Sequence, residues 1–279
     1  MRAEQVTEAA AHHGEGPVWS ERWGGLRWID MLKGDILSLR RDGSVNRRKV
    51  GGVVAAIRPR RFGGAVLALE RGFALEEPNG SLTDLGDVWS DDGVRMNDGG
   101  CDPDGRFYCG SMAYDQSAGA AALYRLDPDR SVHVVLEGLT ISNGLEWSPD
   151  GARAYYVDTA TRRLDVFDYD LASGLSGRRP LVEIGGDPDG LTVDARGGVW
   201  VALCGGGAVH GYTPEGGLAE VVDVPTPKVT ACTFGGPRLD ELYITTSREH
   251  VDPADDPLAG ALFRAEVGVA GLPARGFAG

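Results

Sequence analysis

The stretch Ser142-Asn143-Gly144-Leu145-Glu146-Trp147-Ser148-Pro149-Asp150-Gly151 contains the two signals that decide the fold. Its last three residues predict a tight turn, because Pro presets φ, Asp hydrogen-bonds its own backbone and Gly accepts a positive φ. Asn143 stands five residues before Ser148, where the turn begins. The stretch therefore predicts a short strand that starts at a polar residue and ends in a turn.

The same arrangement returns along the chain with other residues in the position of Asn143, which we call the slot. About six copies occur, spaced by roughly the length of a four-stranded propeller blade. The copies at Val54 and Thr230 are weaker than the others. The slot residues, in chain order, are Glu15, Val54, Asn97, Asn143, Asp189 and Thr230.

Each unit divides into four short runs separated by Gly or Asp-Gly turns, which is typical of a meander of hairpins. In the first unit these runs are residues 15–19, 26–30, 35–39 and 45–50. No segment of ten or more residues carries a helical period. We predict an all-β fold, a six-bladed β-propeller with four-stranded antiparallel blades, formed by residues 1–279 as a single domain. Residues 5–11 are expected to add an outer strand that completes the last blade.

Composition narrows the possible partners. The formal net charge of −13 disfavours nucleic acid and anionic membrane surfaces. The N-terminus lacks the apolar region of a signal peptide, and no apolar run is long enough to span a bilayer, so we expect a cytoplasmic protein that is a monomer or a weak homo-oligomer. No two of the four cysteines form a C-x-x-C pair, which disfavours a zinc-thiolate site.

The slot residues are far apart in sequence but should meet in space. The first strand of each propeller blade lines the central channel, so equivalent positions surround one axis. Glu15, Asn143 and Asp189 should therefore converge at one mouth, with Asn97 beside them. Two carboxylates and a carboxamide favour a divalent cation. The alternative is that these are ordinary turn residues, since Asp, Asn and Gly are common in turns.

Several of these motifs resemble those of the SMP-30/gluconolactonase/LRE (regucalcin-like) family, in the same order and over almost the whole chain. The motifs are Gly14-Glu15-Gly16-Pro17-Val18-Trp19, Arg95-Met96-Asn97-Asp98-Gly99, Ser142-Asn143-Gly144-Leu145-Glu146-Trp147-Ser148, Pro188-Asp189-Gly190, Phe167-Asp168-Tyr169-Asp170, Phe234-Gly235-Gly236 and Ala278-Gly279. The resemblance implies a six-bladed propeller that hydrolyses sugar lactones with one bound divalent metal.

By position, the resemblance implies that Glu15, Asn143 and Asp189 ligate the metal and that Arg95 and Asn97 contact the substrate. The oxygen donors suit calcium, zinc, manganese, magnesium or iron(II) alike. This sequence departs from the family pattern at one place. Regucalcin-like members carry a substrate-contacting Glu a few residues before the Ala-Leu-Tyr run, whereas the matching residues 116–121 of this sequence include no acid. The identity of the sugar is therefore left open.

The expected reaction is hydrolysis of a gluconolactone-like aldonolactone to its aldonic acid, a step of carbohydrate metabolism. The metal is expected to act as a Lewis acid and to lower the pKa of a bound water, and Asp189 is the candidate general base. Arg95 and Asn97 are candidates to hold the sugar hydroxyls or the developing oxyanion. The alternative is a non-catalytic, metal-binding regulatory or scaffold propeller, because propellers host many functions.

Overall fold

Six four-stranded antiparallel sheets form the structure, a computed structural model that describes residues 1–279. The chain begins with β1 (Glu4–Gln5). Blade 1 holds β2 (Gly14–Ser20), β3 (Gly25–Asp30), β4 (Asp35–Leu39) and β5 (Val45–Lys49), and blade 2 holds β6 (Val54–Pro59), β7 (Ala65–Leu69), β8 (Gly72–Glu76) and β9 (Leu82–Asp87). Blade 3 holds β10 (Val94–Cys101), β11 (Phe107–Ala113), β12 (Ala121–Leu126) and β13 (Val132–Leu139).

Blade 4 consists of β14 (Ser142–Trp147), β15 (Arg153–Asp158), β16 (Arg163–Asp170) and β17 (Gly174–Glu183). Blade 5 consists of β18 (Asp187–Val193), β19 (Val199–Cys204), β20 (Ala208–Tyr212) and β21 (Leu218–Asp223), and blade 6 of β22 (Val229–Gly235), β23 (Glu241–Thr246), β24 (Phe263–Glu266) and β1. The only helical elements are three single 3₁₀ turns, Glu21–Trp23, Met31–Lys33 and Thr159–Thr161. The predicted six-bladed β-propeller is confirmed. No helix has the length and hydropathy that a bilayer crossing requires.

The ring closes through its first strand, as predicted, although that strand is shorter than residues 5–11. β1 pairs antiparallel with β24, and the Val6 N–H extends the pairing by donating to the Leu262 carbonyl at 2.8 Å. Beyond Val6 other hydrogen bonds hold the segment: the Ala11 N–H donates to the Gly260 carbonyl at 3.0 Å, and the carbonyls of Ala9 and Ala11 accept from the Arg248 guanidinium. An outer strand from the N-terminus thus covers the edge that β24 would otherwise expose.

The first strand of every blade lies innermost, and each inner strand contacts those of the neighbouring blades. Apolar side chains fill the space between blades; the largest cluster joins blades 1 to 3 and includes Ile29, Val54 and Phe107. Glycines permit the close approach. A Cβ on Gly144 would lie 2.7 Å from the Leu191 backbone nitrogen of the next blade. The glycine that follows the slot therefore serves inter-blade packing rather than a turn.

A β-bulge interrupts the pairing of every inner strand at its slot. In β2 the register shifts between Glu15 and Val18, and in β14 between Ser142 and Leu145. The other four inner strands shift at the equivalent place. A bulge bends a strand and redirects a side chain. The six slots are thus structurally equivalent, which confirms the alignment on the turn.

The far end of the channel is covered by the C-terminal segment. Phe277 is fully buried, and its N–H donates to the Pro59 carbonyl at the end of β6, 2.8 Å away. The Arg275 guanidinium donates to the Ser148 carbonyl just beyond β14, also at 2.8 Å. The slot residues lie at the opposite ends of these strands.

Candidate functional site

The five residues predicted to form the site are all buried on the slot side of the channel. Their relative exposures lie between 4% and 8%: Glu15 4%, Asn97 5%, Asn143 5%, Arg95 6% and Asp189 8%. Polar side chains are seldom this deep in a protein unless they are paired or functional. The hydrogen bonds and nearby charges of each side chain show whether it is paired or free to bind a ligand.

Two aspartates fix the segments that lead into the slots. The Asp30 carboxylate, at the end of β3, accepts the N–H groups of His12 and His13 at 2.9 and 3.0 Å. Asp158, at the end of β15, accepts those of Thr140 and Ile141 in the same manner. These two repeat-related clamps hold the backbone just before Glu15 and Asn143. The backbone that precedes these two slots is therefore fixed by side-chain hydrogen bonds.

A chain of hydrogen bonds joins three of the predicted residues. Arg95 Nη1 donates to Asn97 Oδ1 at 2.7 Å, and Asn97 Nδ2 donates to Asn143 Oδ1 at 3.0 Å. Asn143 Nδ2 donates to Thr159 Oγ1 at 2.8 Å, and that hydroxyl donates to the Pro188 carbonyl at 2.7 Å. The chain runs from blade 3 to blade 5 and ends on the residue before Asp189.

Glu15 and Asp189 are buried carboxylates without an ion-pairing Lys or Arg. The nearest basic group to Glu15 is His13, whose Nε2 lies 3.8 Å from Oε1, and Asp189 has no basic group at ion-pair distance. Burial raises the pKa of Glu15 well above its ordinary value, and the charge of Asp189 adds to this effect. Burial raises the pKa of Asp189 as well, and the charge of Asp98 adds to it. A bound cation would relieve this repulsion.

Arg95 supplies the positive charge nearest to these acids. Its Nη1 contacts Met31 Sδ at 3.0 Å and the Met96 carbonyl at 2.9 Å, in addition to Asn97. Burial lowers the pKa of Arg95, although the nearby negative groups act against that shift. The guanidinium stays charged, because the ordinary pKa of arginine is so high. Arg95 therefore partly offsets the two carboxylates without pairing with either.

The sequence did not reveal that His13 belongs to the site. Its position lies just outside the motif Gly14-Glu15-Gly16-Pro17-Val18-Trp19. In the structure His13 Nδ1 lies 2.8 Å from Ser247 Oγ, and its other ring nitrogen faces Glu15. Burial lowers the pKa of His13 to about 3, with Arg95 contributing, so the ring is neutral at physiological pH. Its closeness to Glu15 in sequence was the one available signal.

Tyr114 and Glu70 also border the site and were not predicted. The Tyr114 ring centroid lies 5.8 Å from the Arg95 guanidinium carbon, and the Tyr114 hydroxyl donates to Glu70 Oε1 at 2.7 Å. Burial and this hydrogen bond raise the pKa of Tyr114 to about 12, so it remains a donor. Residues 116–120 are exposed and hold no acid. Tyr114 thus lies over Arg95 and is held there by a carboxylate from blade 2.

The donor set fits a cation of the hard or borderline kind. No three His, Cys, Asp or Glu side chains cluster as a metal group, so a cation at the two carboxylates would need a ligand of another kind, such as an amide oxygen. Asn143 Oδ1 accepts one hydrogen bond and keeps a second lone pair. With the carboxylates of Glu15 and Asp189, this gives three oxygen donors and no soft ligand.

The four cysteines are free thiols. Cys101 and Cys109 lie on the paired strands β10 and β11, and burial raises the pKa of both. Burial also raises the pKa of Cys204 to about 12, with the charges of Asp189 and Glu15 contributing. None of the four cysteines occupies a slot position.

The comparisons with known proteins agree with the motifs. Residues 13–248 match the model of the SMP-30/Gluconolactonase/LRE-like region. The chain is 35% identical to a Danio rerio protein named regucalcin, over 100% of this chain and 99% of that protein. It is 35% identical to a Haloferax volcanii protein named pentonolactonase XacC, over 98% and 97%.

A solved structure supports the same conclusion. The crystal structure of a protein described as a calcium-binding regucalcin from Agrobacterium tumefaciens superposes with a TM-score of 0.92 at 28% identity, covering 99% of this chain and 97% of that one. The likeness thus extends over the whole propeller and all six slots. The chain belongs to the SMP-30/gluconolactonase/LRE family.

Proposed function

We propose that this protein is a sugar lactonase that hydrolyses aldonolactones and depends on one divalent cation. The observation that carries the proposal is the pair of buried carboxylates, Glu15 and Asp189, which lack an ion-paired Lys or Arg and occupy slots equivalent to that of Asn143. Unpaired buried charge is costly, and it persists where it binds a metal or a substrate. The name pentonolactonase, borne by the Haloferax relative, supports an aldonolactone as the substrate class.

Glu15, Asn143 and Asp189 would hold the cation in this scheme. When bound, such a cation polarises the lactone carbonyl and lowers the pKa of water. A three-residue ligand set leaves positions for water and substrate, as catalytic metal sites require. Arg95 adds a positive charge near the carboxylates, and its high pKa keeps it cationic during turnover.

Asp189 is assigned as general base. Its carboxylate takes one proton from the attacking water, whose oxygen forms the new bond to the lactone carbonyl carbon. The ester bond between that carbon and the ring oxygen then breaks, and Asp189 gives the proton it took to the ring oxygen, which becomes a hydroxyl. The product is the open aldonic acid.

Arg95 and Asn97 are assigned to the substrate, within limits that their contacts set. Both Nδ2 hydrogens of Asn97 are engaged, one by the Ser142 carbonyl and one by Asn143 Oδ1. Asn97 can therefore meet a sugar hydroxyl only as an acceptor, through Oδ1. The Arg95 charge is suited to the oxygen that becomes negative as the carbonyl is attacked.

The test is a panel of glucono-, galactono-, xylono- and arabinonolactone, each offered with several divalent cations to chelator-treated protein. Acid release at constant pH measures hydrolysis. We expect cation-dependent hydrolysis of at least one lactone and selectivity among the four. Tight cation binding without hydrolysis of any of them would favour the non-catalytic, metal-binding propeller instead.

A further inference from the structure

The hydrogen-bond chain through the site can run in one direction only. At one end the Pro188 carbonyl is an acceptor and cannot donate. At the other end the Arg95 guanidinium is a donor and cannot accept. Each group between them therefore accepts a hydrogen bond from its neighbour on the Arg95 side and donates one to its neighbour on the Pro188 side. The hydrogen-bond partners therefore determine which side of the Asn97 and Asn143 amides is oxygen and which is nitrogen.

Thr159 is the group that sets this direction at Asn143. A threonine hydroxyl has one hydrogen, and at 2.7 Å from the Pro188 carbonyl that hydrogen is committed. Thr159 Oγ1 can then only accept from Asn143, so the Asn143 group 2.8 Å away must be Nδ2. Asn143 Oδ1 is consequently turned to the other side, towards Asn97 Nδ2 at 3.0 Å.

We propose that Thr159 is a positioning residue that holds the Asn143 amide with its oxygen facing the site, and that this orientation is what allows Asn143 to bind a cation. The inference rests on the proposed function, in which Asn143 is a ligand. An Asn143 amide turned by half a rotation would present an NH₂ group, which a cation cannot use. Thr159 also ties this amide to the strand β18, which carries Asp189.

Thr159 is itself firmly placed. Its backbone N–H donates to the Ile141 carbonyl at 3.0 Å, in the segment just before Asn143. It opens the 3₁₀ turn Thr159–Thr161 that follows β15. The same turn offers a matched control, Thr161. Its hydroxyl donates to the Asp158 carbonyl at 2.7 Å and takes no part in the hydrogen bonds that join Arg95 to Pro188.

The experiment compares Thr159→Val, Thr159→Ser and Thr161→Val with the unaltered protein. Valine keeps the shape but removes the hydroxyl, whereas serine keeps the hydroxyl. Calorimetric titration of the chelator-treated proteins with calcium and with zinc measures the affinity. Loss of a residue that orients a ligand typically weakens metal binding by about 10- to 100-fold. We expect that loss for Thr159→Val, and affinities close to that of the unaltered protein for the other two variants.

A second readout needs neither metal nor activity. Hydrogen exchange of the side-chain amides, followed by NMR of metal-free protein, reports whether the Asn143 Nδ2 hydrogens are engaged. We expect slow exchange in the unaltered protein and in Thr159→Ser, and fast exchange in Thr159→Val. Unchanged exchange in Thr159→Val would overturn the assigned orientation, and fast exchange with unchanged affinity would overturn its role in metal binding. Failure of every protein to bind a cation, with the exchange pattern as expected, would refute the proposed function while leaving the orientation by Thr159 intact.

Discussion

The replacement Asp189→Asn separates the two roles proposed for this residue. Asparagine keeps the size of the side chain and one carbonyl oxygen, so it can still occupy the slot and contact a cation. It removes the negative charge and the basicity. If Asp189 serves as general base, the variant should retain part of its metal affinity and lose most of its turnover.

The structure sets the expected size and sign of the effects. A positioned general base contributes roughly 10² to 10⁴ in rate, which corresponds to about 3 to 5 kcal/mol of transition-state stabilisation. The charge of Asp189 also raises the pKa of Glu15 in the metal-free protein. Removing that charge relieves a repulsion, so metal-free Asp189→Asn should melt no lower than the unaltered protein. A loss of activity through misfolding would lower its Tm instead.

The assay is the initial rate of lactone hydrolysis against cation concentration, with Tm measured on the same samples. Asp187→Asn is the matched control, because Asp187 lies two residues earlier in β18, is exposed, and pairs only with exposed Arg162 at 3.5 Å. It should keep near-normal turnover. Near-normal turnover of Asp189→Asn at saturating cation would remove Asp189 from the mechanism, since asparagine serves a turn as well as aspartate does.

Four further results are expected. Asn143→Ala should mainly weaken cation binding, so excess cation should partly restore its lactonase rate; a rate that no cation concentration improves would contradict a ligand role. Replacing all four cysteines by serine or alanine should leave the cation content unchanged, as measured by elemental analysis, and its loss would show that a thiol ligates. Deleting residues 1–7 should lower Tm in differential scanning calorimetry, because it exposes the edge of β24, and an unchanged Tm would mean that the closing strand contributes nothing. Glu15 and Asp189 have raised pKa values in the folded metal-free protein, so its stability should fall as pH rises from the ordinary carboxylate pKa, near 4, through the raised pKa values. The increase in Tm on adding cation should therefore grow with pH over that window. An increase in Tm that does not depend on pH would contradict this expectation.

Much of the fold followed from local turn chemistry. The Pro-Asp-Gly and Asp-Gly signals divide the chain into short runs, and their spacing predicts the number of blades. Sequence positions of the strands in blade 1 agree with the predicted runs to within a residue or two. Blade 6 departs from this regular pattern, because a long stretch without a strand separates β23 from β24 (Phe263–Glu266), which pairs with β1. There the pairing partner comes from the opposite end of the chain, which local patterns do not register.

The ligand candidates could be found because the repeat itself brings them together. Residues that act from outside the repeat could not. Tyr114 and Glu70 belong to different blades and meet only in the folded structure. Thr159 follows β15, the second strand of blade 4, and the sequence there has no feature that sets it apart from the ends of other strands. Their roles depend on side-chain contacts between units, such as the 2.7 Å hydrogen bond from Tyr114 to Glu70. Such contacts have no periodic signature in a single sequence.

One measurement tests the central claim most directly: cation stoichiometry and lactone hydrolysis followed in the same titration of chelator-stripped protein. The proposed site predicts negligible hydrolysis at the start, a rise that saturates near one cation per chain, and neither binding nor rise when Glu15, Asn143 and Asp189 are all replaced by alanine in a protein that still folds. Full hydrolysis by the stripped protein, or unchanged binding in the triple variant, would contradict it.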